Sequence, residues 1–183
     1  MQTRSWRLTA NLFLCGFTLL EILVVLVIVG VLAGLAVPMY QRVVEGGRAT
    51  GCISNLRNIG AALNLYLAEN NMTMPTLKAG RASLDDDVPV IDNTLQKYAQ
   101  EKAIFACPSD KKYAAATGTS YSWNSGLNGQ SATNLNFLGL VKDTGHIPIL
   151  GDKEGFHPYT DSKVNILYAD GHATKEVKFF TEK

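Results

Sequence analysis

One acid, Glu21, lies in a stretch of 21 residues, Phe17 to Val37, that holds no other ionisable side chain. A carboxylate in so apolar a segment is costly in lipid and needs a partner. A cut between Gly16 and Phe17 would create one. The new α-amine of Phe17 is cationic and stands four residues before Glu21, one helical turn away on the same face. If many such helices pack without water, every amine and carboxylate needs a counter-charge. A Glu21–amine pair, within a chain or between chains, would then set the axial register. The alternative is a glutamate near the interface whose carboxylate snorkels to water. A second set of reactive side chains is Cys52 and Cys107, which remain once Cys15 is removed with any leader. A third is His146, His157 and His172 with Asp152, Asp161 and Asp170, the residue types of a metal site. Asp170-Gly171-His172 is accounted for by turn geometry, however, and a histidine after a turn is usually solvated. No metal and no cofactor is expected. Nucleophile elbows, HExxH and phosphate-cradling glycine loops are absent, so an enzyme is not expected.

The elements that carry these residues follow from composition. The 183 residues include 17 basic and 16 acidic side chains, a net charge of +1, with 18% charged and 46% apolar residues. No basic face suggests nucleic acid. The average hides a division. From Met39 onward there are 15 basic and 15 acidic residues in 145, whereas residues 17–37 hold Glu21 alone. Twenty-one helical residues reach about 30 Å, the thickness of a bilayer core. Arg4 and Arg7 precede the run with no acid among residues 1–16, which puts the N-terminus in the cytoplasm and everything after Pro38 across the membrane. A cleavable secretory signal has a shorter apolar region of about 7–15 residues. A lipoprotein reading of the segment ending in Cys15 fails on the bulky Leu14 and on the apolar run that follows the cysteine.

Beyond the span, Cys52, Leu56, Ile59, Leu63 and Tyr66, with Ile53 and Leu67 alongside, form one apolar stripe at helical spacing. A helix is expected to continue from Met39 to about Asn70, bending at Gly46-Gly47 and ending at Asn70-Asn71 and Pro75. Residues 72–103 read as polar loop, with a short helix over Thr94–Ala99. The run Asp85-Asp86-Asp87 lacks calcium-loop spacing and is expected to be solvated. Strands are expected at Ser120–Trp123, Ile147–Leu150, Val164–Ala169 and Ala173–Phe180. The last two would be joined by a two-residue Asp170-Gly171 turn with positive φ at both positions. The cysteines fall in an oxidising compartment, so a Cys52–Cys107 bridge is expected. It would close 54 intervening residues, worth about 4 kcal/mol in the chain-entropy model.

Gly16-Phe17-Thr18-Leu19-Leu20-Glu21, followed by the apolar run and Pro38, resembles the N-terminal signal of type IV prepilins and type II secretion pseudopilins. The resemblance implies cleavage after Gly16 by a membrane prepilin peptidase, N-methylation at Phe17, an assembly role for Glu21 and a helix kink at Pro38. Here Cys15 replaces the basic or polar residue common before the glycine. Two further stretches, Cys52–Gly60 and Cys107-Pro108-Ser109-Asp110, and the tail Asn165–His172, resemble prepilin-type processing-associated proteins, which share a His-x9-Asp-Gly signature. Between His157 and Asp170 there are twelve residues rather than nine, so either the loop is longer or His157 is not the motif histidine.

The expected fold is α+β and pilin-like, a long N-terminal helix packed on a small antiparallel sheet. Residues 1–16 would be a cytoplasmic leader, 17–38 the transmembrane and assembly half of the helix, 39–70 its amphipathic half, and 71–183 a β-rich domain in the periplasm. The expected function is a structural subunit of a type II secretion pseudopilus or type IV pilus-like filament. Its partners would be other pilin-like subunits, the peptidase, an inner-membrane assembly platform and membrane lipid. The alternative is a membrane-anchored periplasmic binding protein that never polymerises.

Overall fold

A computed structural model describes residues 18–158 and 162–175. The described residues fall into two compact units, divided between Tyr40 and Gln41. Helix α1 runs from Leu19 to Glu69 and contains Pro38, through which the helical assignment is unbroken, and Gly46-Gly47 likewise interrupt nothing. In the first unit every described residue, 18–40, is exposed. Leu, Val and Ile side chains dominate this stretch, and α1 is the one helix among the described residues long and apolar enough to cross a membrane.

In the second unit the predicted stripe is the core. Ala49, Cys52, Leu56 and Ile59 are fully buried, and Leu63 and Leu67 nearly so. Tyr66 lies at the margin, edge-on to Tyr98 at 5.7 Å. The stripe is covered by a four-stranded antiparallel sheet in the order β1 (Tyr121–Trp123), β2 (Pro148–Asp152), β3 (Ile166–Tyr168), β4 (Ala173–Thr174). At Gly60 helix and sheet approach closely. A Cβ there would stand 3.3 Å from a Leu167 methyl carbon, so the missing side chain lets β3 approach α1. The strands match the expected ones within a few residues. The remainder of Ala173–Phe180 beyond residue 175 lies outside the described residues, as do Gly16, Phe17 and Asp161.

Two local expectations are corrected. The helix over Thr94–Ala99 is instead a short α2 at Ile91–Thr94 followed by a 3-10 turn at Gln96–Tyr98. Asn93 explains the earlier start, because its side chain accepts from the Val90 N–H at 2.9 Å and donates to the Val88 carbonyl. The β3–β4 connection is also not a two-residue turn. Gly171 has φ +89°, but Asp170 is not among the positive-φ residues. Gly171 N–H donates to the Tyr168 carbonyl and Tyr168 N–H to the His172 carbonyl, both at 2.9 Å. That is the three-residue loop in which a left-handed glycine follows a type I turn. Asp170 accepts from the His172 N–H at 3.0 Å, so its place in the tail motif is to hold this corner.

Asp110 fixes the segment that carries Cys107. Its carboxylate accepts from the N–H groups of Lys112, Tyr113 and Ala114 at 2.7–2.8 Å and from the Ser120 hydroxyl at 2.6 Å. Ser120 Oγ in turn accepts from the Cys107 N–H at 2.8 Å. Burial works against the Asp110 charge, but the Ser120 hydroxyl and the backbone donors outweigh it and hold the carboxyl below the usual range. A depressed folded pKa contributes stability above the ordinary carboxylate value, and that contribution is lost as pH falls through the folded pKa. Asp110→Ala is expected to cost about 1–3 kcal/mol near neutral pH, because several donors lose their acceptor. Denaturant titration from pH 7 to 3 checks this: the variant should also show a shallower loss of stability in acid.

Candidate functional site

Two places in the chain carry unusual chemistry. The first is the start of α1. Thr18 Oγ1 accepts from the Glu21 N–H at 3.2 Å, while Glu21 Oε2 accepts from both the Thr18 N–H and the Thr18 hydroxyl at 2.9 Å. This is a reciprocal capping box, in which an N-cap threonine and a glutamate three residues on satisfy each other's backbone donors. Its sequence signal is the Thr-x-x-Glu spacing of Thr18 and Glu21. Glu21 therefore closes the N-terminal turn of its own helix while remaining exposed.

The second place lies in the second unit, where α1, the 106–110 turn, β2 and the loop after β2 converge. Cys52, Cys107 and His157 are all buried, and one ligand-type atom from each lies within 4.8 Å of the others. His157 Nε2 is 3.6 Å from Cys107 Sγ and 3.7 Å from Asp152 Oδ2. The Cys52 thiol donates to Asp152 Oδ1 at 3.3 Å, and Cys52 Sγ lies 3.3 Å from the Tyr121 hydroxyl. On the far side of the ring, His157 Nδ1 is 2.9 Å from Glu45 Oε1, which also accepts from the Ser109 hydroxyl. Asp152 Oδ2 accepts from the backbone and side-chain N–H groups of Asn165 at 2.8 and 2.9 Å.

Local folding explains the convergence. Glu45, Ala49, Cys52 and Leu56 follow one another at helical spacing, so Glu45 is the first residue of the buried stripe. The β1–β2 register sets Tyr121 opposite Asp152, beside Cys52. The Asn55 amide donates to the Ala106 carbonyl at 2.8 Å and brings the Cys107 turn against the helix.

Electrostatics in the cluster are strongly perturbed. Proximity to Cys52 draws Cys107 down from the usual thiol range; burial opposes this and the His157 ring adds to it. Cys52 is pushed up, by its proximity to Cys107, by burial and by the charge of Asp152. Burial raises Asp152 to about 6 despite its bonds from Asn165. His157 is raised: burial opposes its charge, but the contacts with Cys107 and Glu45 win. Cys107 is thus the more acidic of the two sulfurs, with the His157 ring beside it.

Measured against the expected site residues, the structure brings Cys52 and Cys107 together, with both as free thiols. Each sulfur is engaged elsewhere, Cys52 with Tyr121 and Asp152, Cys107 with His157. The three histidines do not converge among the described residues. His146 pairs with Asp143 at 2.7 Å and His172 with Asp170, while His157 stands with the cysteines. Sequence reasoning missed Glu45, Ser109 and Tyr121. An acid at the head of an apolar helical stripe was the available signal for Glu45.

Residues 15–37 match the prokaryotic N-terminal methylation motif. The chain is prepilin-like. Its relatives include the type II secretion system core protein G of Escherichia coli (strain K12), 37% identical over 95 residues, which are 52% of this chain and 64% of that protein. The core protein G of Pectobacterium carotovorum subsp. carotovorum is 35% identical over 95 residues, 52% of this chain and 60% of that protein. Fimbrial protein Q of Moraxella bovis is 33% identical over 72 residues, 39% of this chain and 43% of that protein. The chain thus spans less than two thirds of the length of these relatives. No solved structure matches it. The motif covers the stretch that holds Glu21, and in this prepilin-like chain the long helix and small antiparallel sheet are those expected of a pilin-like fold.

Proposed function

We propose that the chain is the precursor of a filament subunit, anchored in the inner membrane by one span with residues 1–16 in the cytoplasm and the sheet domain in the periplasm. Prepilin peptidase cleaves after Gly16 and Phe17 is methylated. The mature subunit then leaves the bilayer sideways, through an assembly platform, into a type II secretion pseudopilus or related filament. The observation that carries this reading is the placement of Glu21. It stands at the exposed start of an apolar helical segment, five residues after the glycine of the methylation motif.

The physical logic is a transfer between two apolar solvents. Residues 18–40 are exposed in the isolated chain, and they need either lipid or identical helices around them. Exchange of lipid for packed helices gains van der Waals contact without a large hydrophobic term, so specific polar pairing sets the register. Glu21 and a neighbour's Phe17 amine supply that pairing, and Pro38 marks where the apolar half can bend.

The intact mass of the chain purified from cell membranes tests the reading. Loss of residues 1–16 with gain of one methyl group is the expected result. A chain that keeps Met1, or one cut near residue 38, overturns it.

A further inference from the structure

We propose that Cys52, Cys107, His157 and Asp152 form a structural binding site for zinc, which ties helix α1 to the sheet. The inference does not depend on whether the chain polymerises.

The donor set is that of a closed zinc site, two thiolates, one imidazole and one carboxylate. The spacing fits as well. Zinc–sulfur bonds of about 2.3 Å and zinc–nitrogen bonds of about 2.05 Å at a tetrahedral angle place sulfur and nitrogen roughly 3.6 Å apart. Cys107 Sγ and His157 Nε2 are 3.6 Å apart. The same arithmetic with an oxygen ligand gives a sulfur–oxygen edge of roughly 3.5 Å. Cys52 Sγ and Asp152 Oδ1 are 3.3 Å apart. Three of the donors, from Cys52, Cys107 and His157, already have their ligand atoms within 4.8 Å of one another.

The surroundings are those of a metal site too. His157 turns Nε2 toward the sulfurs because Nδ1 faces Glu45, and Glu45 is itself fixed by Ser109. A carboxylate on the far nitrogen sets the tautomer and orients the ring of a metal-bound histidine. Asp152 shows the same division of labour: Asn165 occupies Oδ2 and leaves Oδ1 facing Cys52. On binding, the Cys52 proton and the one proton shared by Cys107 and His157 leave to solvent, and the cation replaces the Cys52 proton as the partner of Oδ1.

A Cys52–Cys107 bridge is the competing fate of these sulfurs, and the two exclude each other. A bridge would use two of the four groups. It would also remove the thiol proton that the buried Asp152 Oδ1 accepts, leaving that oxygen to bear the cost of burial. The four-group arrangement therefore favours the cation.

The full-length chain, purified in detergent, reduced and stripped with chelator, is titrated with Co²⁺ and then with Zn²⁺. Expected is about one equivalent bound with thiolate-to-cobalt charge-transfer and tetrahedral visible bands, bleached by zinc, and about two protons released per metal. Cys107→Ser should lower the charge-transfer band by about half or more, since it removes one of the two thiolates. Glu45→Gln keeps an acceptor for His157 and leaves all four ligands in place, so it should weaken affinity roughly 10–100-fold. That second variant serves if the first does not fold. Three results would overturn the proposal: no cobalt thiolate band in the reduced protein, unchanged metal affinity in Glu45→Gln, or thiols from freshly lysed cells that resist alkylation until reduced.

Discussion

Glu21→Val is expected to abolish filaments while the protein still inserts in the membrane and its second unit folds. Valine prefers lipid, so insertion gains. The second unit contains none of the contacts Glu21 makes, because its hydrogen-bond partner is Thr18. What is lost is the anion that meets an amine between packed helices, and a buried charge that loses its partner is strongly disfavoured. The assembly equilibrium should fall on the order of a hundredfold per contact. The sheared, pelletable fraction compared with total cellular protein by immunoblot reads this out. Filaments at the unsubstituted level would mean that the acid does no more than close the first helical turn, and would favour a membrane-anchored protein that does not polymerise.

The second large effect is expected from Leu56→Ala, with a loss of about 2–5 kcal/mol. Leu56 is fully buried at the middle of the stripe, four residues after Cys52 and three before Ile59, with both neighbours equally buried. Shortening it removes transfer free energy and leaves a cavity between helix and sheet that neither element can collapse to fill. Domains of this size have only about 5–15 kcal/mol in total, so the change consumes a large share. Denaturant unfolding of the full chain in detergent, followed by tryptophan fluorescence, should show the midpoint falling with the slope unchanged. Trp123 is buried in the same core and reports on it. A loss below 1 kcal/mol would mean that the stripe is not the main support of the sheet.

The parts legible in the sequence were those written in periodicity. Cys52, Leu56, Ile59 and Leu63 recur at helical spacing, and each is buried on α1. The strands announced themselves by short apolar runs between turn residues, and the observed ladders sit within a few residues of them. The hairpin was found but its turn was misread. Asp-Gly suits a two-residue loop, and it equally suits the last two positions of a three-residue loop, where only the glycine needs positive φ. Local sequence does not separate these, because cross-strand register decides between them.

The buried cluster was legible only in pieces, Cys52 with Cys107 as one pair and His157 with Asp152 in another set, and their meeting was not. Its members come from residues 45, 52, 107, 152 and 157, brought together by one helix face, one turn, one strand register and one loop. Such long-range convergence leaves no spacing to read. The twelve residues between His157 and Asp170 displaced the histidine from the signature it resembles, yet His157 is the histidine that stands inside the core. Asp170 and Gly171, the other end of that signature, are a corner of backbone.

The capping box at the head of α1 bears on how a lone subunit waits. Thr18 already gives the Glu21 carboxylate two hydrogen bonds inside one chain. In the filament proposed above, a neighbour's amine would therefore displace an existing partner instead of filling a void. Growth would be a swap, in which Thr18 yields the carboxylate and the incoming cation takes it. A lone subunit that keeps its acid bonded in this way would have no vacancy to fill while it waits.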